Sequence, residues 1–252
     1  MRKLLFLLPM IVLTGCITTT TGDMPQGSSD DAAQINLDLG ISYLRQGDYE
    51  HAQQKLKKSI REKPNNPTAH RALGLVYEGM GELDGAEQEY RVAVKQDSDD
   101  PDALDQLAVF LCLHGDANEA LKLFDRAVEV PMNPRRYVIY TNAGTCAKRE
   151  QDLELSENYL RQALAANGNY PAALLQISDV SFQRENYLQS RAFIERYLAR
   201  VPASPSILWL QYQVEDALGA TVAAEDAGQA LLSDFPESRE AGQLRRRMRD
   251  AG

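Results

Sequence analysis

Leucines at 39, 73 and 107 fall 34 residues apart, and so do alanines at 52, 86 and 120. Two independent slots sharing one period constrain the fold more than any composition can. A chain of this kind stacks copies of one supersecondary unit, each leaving an apolar face that only its neighbour covers. The first copy, 33–66, contains Leu39-Gly40-Ile41-Ser42-Tyr43, then Gly47-Asp48-Tyr49, then Ala52, Leu56 and Ser59, and ends near Pro64.

Leu39, Gly40, Tyr43, Ala52, Leu56 and Pro64 fall in the slots of the tetratricopeptide pattern, with Leu56 replacing an aromatic and Asn36 standing where the pattern has Trp. The second unit, 67–100, has Leu73, Gly74, Tyr77, Gly81, Ala86, Tyr90 and Ala93; the third, 101–134, has Leu107, Ala108, Leu111, Gly115, Ala120, Phe124 and Ala127. The register slips by two at Asn133-Pro134-Arg135-Arg136. The fourth unit, 137–170, keeps Gly144, Leu160 and Ala163 with Ser156 in the small slot; the fifth, 171–204, has Ile177, Tyr187, Ser190, Ile194 and Pro202. The sixth, 205–238, is the faintest, with Leu208, Ala224, Leu231 and Pro236. The expected fold is all-α: a right-handed superhelical solenoid of about six helical hairpins over 33–238, closed by a capping helix over 239–252.

Each slot has a physical reason. A small residue at the eighth position lets the two helices of a hairpin approach, Ala at the twentieth does so from the other side, and Pro stops the second helix. The terminal segment Glu240 to Arg249 carries four arginines in sequence positions 245–249. It reads as a cap with a polar outer face whose arginines suit a helix C-terminus. The other reading is a basic patch docking on anionic lipid or peptidoglycan.

At the N-terminus Arg2-Lys3 precedes an apolar run, Leu4 to Val12, that is too short to span a bilayer and reads as a secretory signal over 1–15. It ends in Leu13-Thr14-Gly15-Cys16, which resembles the bacterial lipobox. That resemblance implies cleavage before Cys16 and a covalent lipid on it, and no other cofactor. Ile17 after the cysteine, where inner-membrane lipoproteins usually have Asp, implies the outer membrane. An ordinary signal with a chance cysteine is the alternative. Residues 16–32, rich in Thr, Gly, Ser and Pro, have little to bury and read as a flexible tether.

The net charge is −9, which argues against a nucleic-acid partner. No catalytic or phosphate-binding motif occurs, and His51, His70 and His114 lack ligands at metal spacing, so neither an enzyme, a metal site nor a small-molecule substrate is expected. The acidic run Asp97 to Asp105 lacks the calcium-loop pattern and reads as an inter-repeat turn.

Cys112 is the twelfth residue of unit three and Cys146 the tenth of unit four, both on first helices of adjacent hairpins. In an oxidising compartment they can bridge; two buried thiols are the alternative. First helices line the concave face through their second, fifth, ninth, twelfth and thirteenth positions. These are Gln34, Leu37, Ile41, Leu44 and Arg45 in unit one, Thr68, Arg71, Leu75, Glu78 and Gly79 in unit two, and Asp102, Asp105, Val109, Cys112 and Leu113 in unit three. Leu37, Ile41 and Leu44 form an apolar stripe that marks a partner site, or else completes the first core or lies under the segment from Asp30 to Gln34.

Lipobox, short tether, about six such repeats and a length of 252 residues together resemble the PilF/PilW lipoproteins of type IV pilus biogenesis. Leu39-Gly40-Ile41-Ser42-Tyr43-Leu44-Arg45-Gln46-Gly47-Asp48-Tyr49-Glu50-His51-Ala52 is similar to that family's first repeat. The resemblance implies a pilotin: a lipoprotein of the outer membrane, facing the periplasm, that binds the pilus secretin and supports its localisation and multimerisation. A scaffold for peptidoglycan enzymes or another envelope complex is the alternative.

Overall fold

The computed structural model describes residues 29–251, with side chains to residue 250. The signal segment 1–15, the expected lipid site Cys16 and the tether up to residue 28 lie outside these residues. Among the described residues the elements are thirteen α-helices: α1 (Ser29–Arg45), α2 (Tyr49–Glu62), α3 (Pro67–Gly79), α4 (Leu83–Gln96), α5 (Pro101–His114), α6 (Ala117–Glu129), α7 (Arg136–Arg149), α8 (Leu153–Ala166), α9 (Pro171–Gln183), α10 (Tyr187–Leu198), α11 (Pro205–Ala217), α12 (Thr221–Asp234) and α13 (Arg239–Ala251).

The helix starts are written locally. Pro67, Pro101, Pro171 and Pro205 each open a first helix, where the missing N–H costs nothing. The side chains of Asn66, Asp48, Asp116 and Asp152 accept hydrogen bonds from free N–H groups in the first turns of their helices. Residues 29–32 are helical rather than part of a tether, because Asp30 and Asp31 suit the positive end of α1, Ala33 and Asn36 are buried, and the Ala33 carbonyl accepts from Ser59 of α2. Inside the hairpins, Asp48 N–H donates to Tyr43 C=O, and Glu82 to Tyr77, Asp152 to Ala147, Asn186 to Ser181 and Ala220 to Glu215 repeat the bond. This six-residue closure needs a left-handed residue before it. Gly47, Gly81 and Gly219 supply it, and Gln151 and Glu185 adopt it at φ 63° and 62°.

Hairpins close tightly at the small slot. A Cβ on Gly40 would sit 2.6 Å from Leu56, one on Gly74 2.5 Å from the Tyr90 ring and one on Gly144 2.7 Å from Leu160. Ser156 and Ser190 fill the other small slot and donate their hydroxyls to Gly144 C=O and Ser178 C=O at 2.7 Å, so nothing polar is stranded. The two-residue slip lies in the α6–α7 connection, where Met132 takes φ 57° and is 95% exposed.

The hairpins stack into two layers. At every junction the Cα atoms of neighbouring first helices come within 8 Å, from α1·α3 to α11·α13, whereas those of neighbouring second helices do not. The first helices therefore form the inner, concave layer. The core is a ribbon of successive clusters that runs between the layers, from Leu37, Leu56 and Leu73 to Leu208, Leu231 and Leu244 under α13.

Candidate functional site

The concave layer is the surface where separate repeats bring side chains together. At its N-terminal end the expected stripe is corrected in part. Leu37 is 5% exposed and belongs to the core with Ala69, Ala72 and Leu73 of α3. The fifth position of a first helix meets the next first helix, so it seals the junction instead of facing a partner. Leu39, in a slot of the repeat pattern whose counterparts Leu73 and Leu107 are buried, is 40% exposed, and Ile35 one turn before it is 60% exposed. Leu73 and Leu107 in the same slot are buried by the hairpin before them, and among the described residues α1 has no such predecessor. Ile41 and Leu44 remain half-buried at the edge of the first core, and Arg45 is exposed at the end of α1.

Further along, the polar groups of the face are paired. Arg71 on α3 lies 3.8 Å from Asp100 and 3.5 Å from Asp102, and Arg135 also pairs with Asp102. Leu75 is half-buried against the central core. Tyr90 reaches through from α4 and donates its hydroxyl to Glu78 at 2.7 Å. Asn142 of α7 donates to both carboxylate oxygens of Asp105, at 2.9 and 3.2 Å. Burial pushes the Asp105 carboxyl up to about 6, with Asp102 adding to the rise; the Asn142 hydrogen bond, Arg135 and Arg71 pull the other way. Lys148 Nζ donates to Gln176 at 2.6 Å and Asp179 at 2.9 Å.

Cys112 and Cys146 are joined by a disulfide with Cα atoms 5.8 Å apart. It ties α5 to α7 across the junction that carries the register slip. Trp209 on α11 and Arg246 and Arg247 of α13 form the C-terminal end of the face; unit six is too irregular in sequence for its concave positions to stand out. Among the described residues, no three His, Cys, Asp or Glu side chains are placed to hold a metal ion. A curved face of matched charges separated by half-buried leucines and isoleucines suits a protein segment laid across several helices.

The tetratricopeptide repeat model matches residues 37–101 and 141–206, and a second one, also described as a tetratricopeptide repeat, matches 102–130. The chain belongs to the tetratricopeptide repeat family. The interval between the matches, 131–140, holds the α6–α7 connection where the period slips. This tetratricopeptide repeat protein is 27% identical over 200 residues to the type IV pilus assembly protein PilF of Pseudomonas aeruginosa, covering 78% of this chain and 79% of PilF. A solved structure of Pseudomonas aeruginosa PilF superposes with a TM-score of 0.77 at 24% identity, over 87% of this chain and 99% of that one. The crystal structure of PilW, described as a widely conserved type IV pilus biogenesis factor, gives a TM-score of 0.77 at 26% identity over 84% of this chain and 97% of that one. The chain is thus a PilF/PilW-like tetratricopeptide repeat protein.

Proposed function

We propose that the protein is a non-enzymatic adaptor of type IV pilus biogenesis. It acts as a pilotin, lipidated at Cys16, anchored in the outer membrane and facing the periplasm. Its partner is the pilus secretin, whose localisation and multimerisation it supports. The observation that carries this reading is the likeness to PilF and PilW, which extends over nearly the whole length of both solved chains. The concave face supplies the partner surface, with Ile41, Leu44 and Leu75 as apolar contacts and Arg45 at the rim. With Leu37 committed to the core, variants there test folding and not binding.

The test is deletion of the gene followed by blotting membrane fractions for heat-resistant secretin multimers. Loss of multimers, restored by the wild-type gene, is expected. Complementation with Cys16→Ser should restore expression and fold but leave the secretin mislocalised. Arg45→Glu with Ile41→Glu should bind secretin poorly while keeping its helical signal. Normal multimers in the deletion strain would remove the reading.

A further inference from the structure

The C-terminal end of the concave face differs in charge from the rest. Arg71, Arg135 and Lys148 are matched by Asp100, Asp102 and Asp179. α13 instead carries five arginines against Glu240 and Asp250, in a chain of net charge −9. Its apolar residues Ala241 and Leu244 are 0% and 1% exposed under the cap, so α13 is rigidly seated and its arginines face outward. Trp209, Gln243, Arg246, Arg247 and Asp250 line one open depression there.

The two arginines beside the indole are not equivalent. Arg247 is held 2.5 Å from Asp216, and its guanidinium lies 5.7 Å from the centre of the Tyr212 ring. Tyr212 in turn stacks on Trp209, with centroids 5.5 Å apart and planes 12° from parallel. Arg246 has no hydrogen bond, ion pair or ring contact among the described residues. The depression therefore offers a half-buried indole, stiffened from behind by Tyr212 and Arg247, next to a guanidinium with its charge unspent.

We propose that this depression binds an extended acidic segment of a protein partner, with a carboxylate on Arg246 and an apolar side chain on Trp209. A guanidinium fork matches carboxylate geometry, and Trp and Arg are both enriched among the residues that carry most of the energy of protein interfaces. Asp216 and Asp250 frame the arginines, which decides against other anions. A membrane sheet of anionic head groups meets those carboxylates together with the arginines, and a compact phosphate has no apolar group to lay on Trp209. A segment that alternates carboxylates with apolar residues can set one carboxylate on Arg246 and cover the indole. The site lies at the opposite end of the solenoid from Ile41 and Arg45 and does not depend on the pilus reading.

Trp209 is the protein's single tryptophan, so its emission reports this site directly. The probe is a synthetic peptide of alternating Glu and Phe, titrated into the full chain in detergent. A saturable change in emission is expected, weakening about tenfold when salt is raised into the range where Debye lengths fall to a few ångströms. Arg246→Glu should weaken it by about tenfold or more, with an unchanged helical signal, and Arg246→Lys by less. Arg61→Glu at the far end should leave it unchanged. The proposal is overturned if Arg246→Glu binds as the wild type does or if a Lys/Phe peptide gives the same change. It is equally overturned if phosphatidylglycerol vesicles or inorganic phosphate reproduce the change and displace the peptide.

Discussion

In the sixth hairpin Tyr212 lies against Gly228, so close that a Cβ on Gly228 would stand 3.4 Å from the ring and 3.2 Å from Leu244. In three other hairpins the large and small residues are the other way round: Gly40 faces Leu56, Gly74 faces Tyr90 and Gly144 faces Leu160. The sixth unit exchanges the two, and the hairpin closes all the same because the helices need one small and one large residue, whichever helix supplies each.

This exchange makes a coupling prediction. Tyr212 is half-buried, so Tyr212→Ala, which empties the space, should cost about 1–3 kcal/mol, less than the roughly 3–5 kcal/mol of a fully buried aromatic. Gly228→Leu alone overpacks it and should cost about 1–3 kcal/mol. Together they restore the arrangement of those three hairpins and should cost less than the sum by more than about 1 kcal/mol. Urea denaturation of the two single variants and the double variant measures this. Additive losses would mean that the two positions do not share one space.

The same exchange explains what the sequence hides. A fixed period is legible because it repeats, and Leu39, Leu73, Leu107 and the small slots give the hairpins at once. Cys112 and Cys146 are within reach for a related reason, since positions at nearly the same height on neighbouring first helices lie side by side. Tyr212 and Gly228 break the pattern residue by residue while keeping its volume, so unit six looks weak. The end of a solenoid is hidden for another reason. Slot rules assume a neighbour on each side, and Leu39 occupies a repeat slot with no hairpin before it among the described residues. The ion pair of Arg135 with Asp102 and the hydrogen bond from Asn142 to Asp105 join different repeats at positions that no repeat slot specifies.

The disulfide should contribute measurably to stability. It closes a loop with a sequence separation of 34. Loop-closure entropy for that length amounts to about 4 kcal/mol at room temperature. Reduction, or replacement of Cys112 and Cys146 together by Ala, should lower the denaturation midpoint accordingly. It should also separate the unfolding of units one to three from that of units four to six, because nearest-neighbour coupling is what holds such stacks in one cooperative unit. A single unchanged transition after reduction would show that packing alone couples the halves.

Two turns can be improved. Gln151 and Glu185 hold the left-handed conformation that Gly47, Gly81 and Gly219 hold in other hairpins. A side chain there costs about 1 kcal/mol. Both are exposed, so their removal loses no packing. Gln151→Gly and Glu185→Gly should each raise the melting temperature, with a gain of a few tenths to about 1 kcal/mol after the added flexibility of the unfolded chain is counted. A fall in melting temperature for either variant would show that its side chain does something the turn geometry does not reveal.

Two groups should give the stability an identifiable pH dependence. Asp105 titrates at about 6 in the fold against an ordinary 3.8, so the folded protein holds more protons between those values and loses stability as the pH rises through them. The loss comes first from keeping a partly desolvated carboxylate charged, with Asp102 adding to it. Asp105→Asn keeps the contact with Asn142 and removes the charge. It should raise the melting temperature near neutral pH, by no more than about 3 kcal/mol of stability, and the gain should vanish by about pH 4. His70 works in the same direction at higher pH. Burial favours its neutral form, but Glu89 at 2.6 Å and the Pro64 carbonyl at 3.1 Å outweigh that and hold its pKa above 6.5. Its contribution is complete below 6.5 and is lost as the pH rises through the raised value. His70→Gln should therefore cost more near about pH 6 than near about pH 9, while the benefit of Asp105→Asn follows the opposite trend. Melting curves by circular dichroism across that range, each variant against wild type, check both. A benefit from Asp105→Asn that does not change with pH would assign it to packing instead of charge.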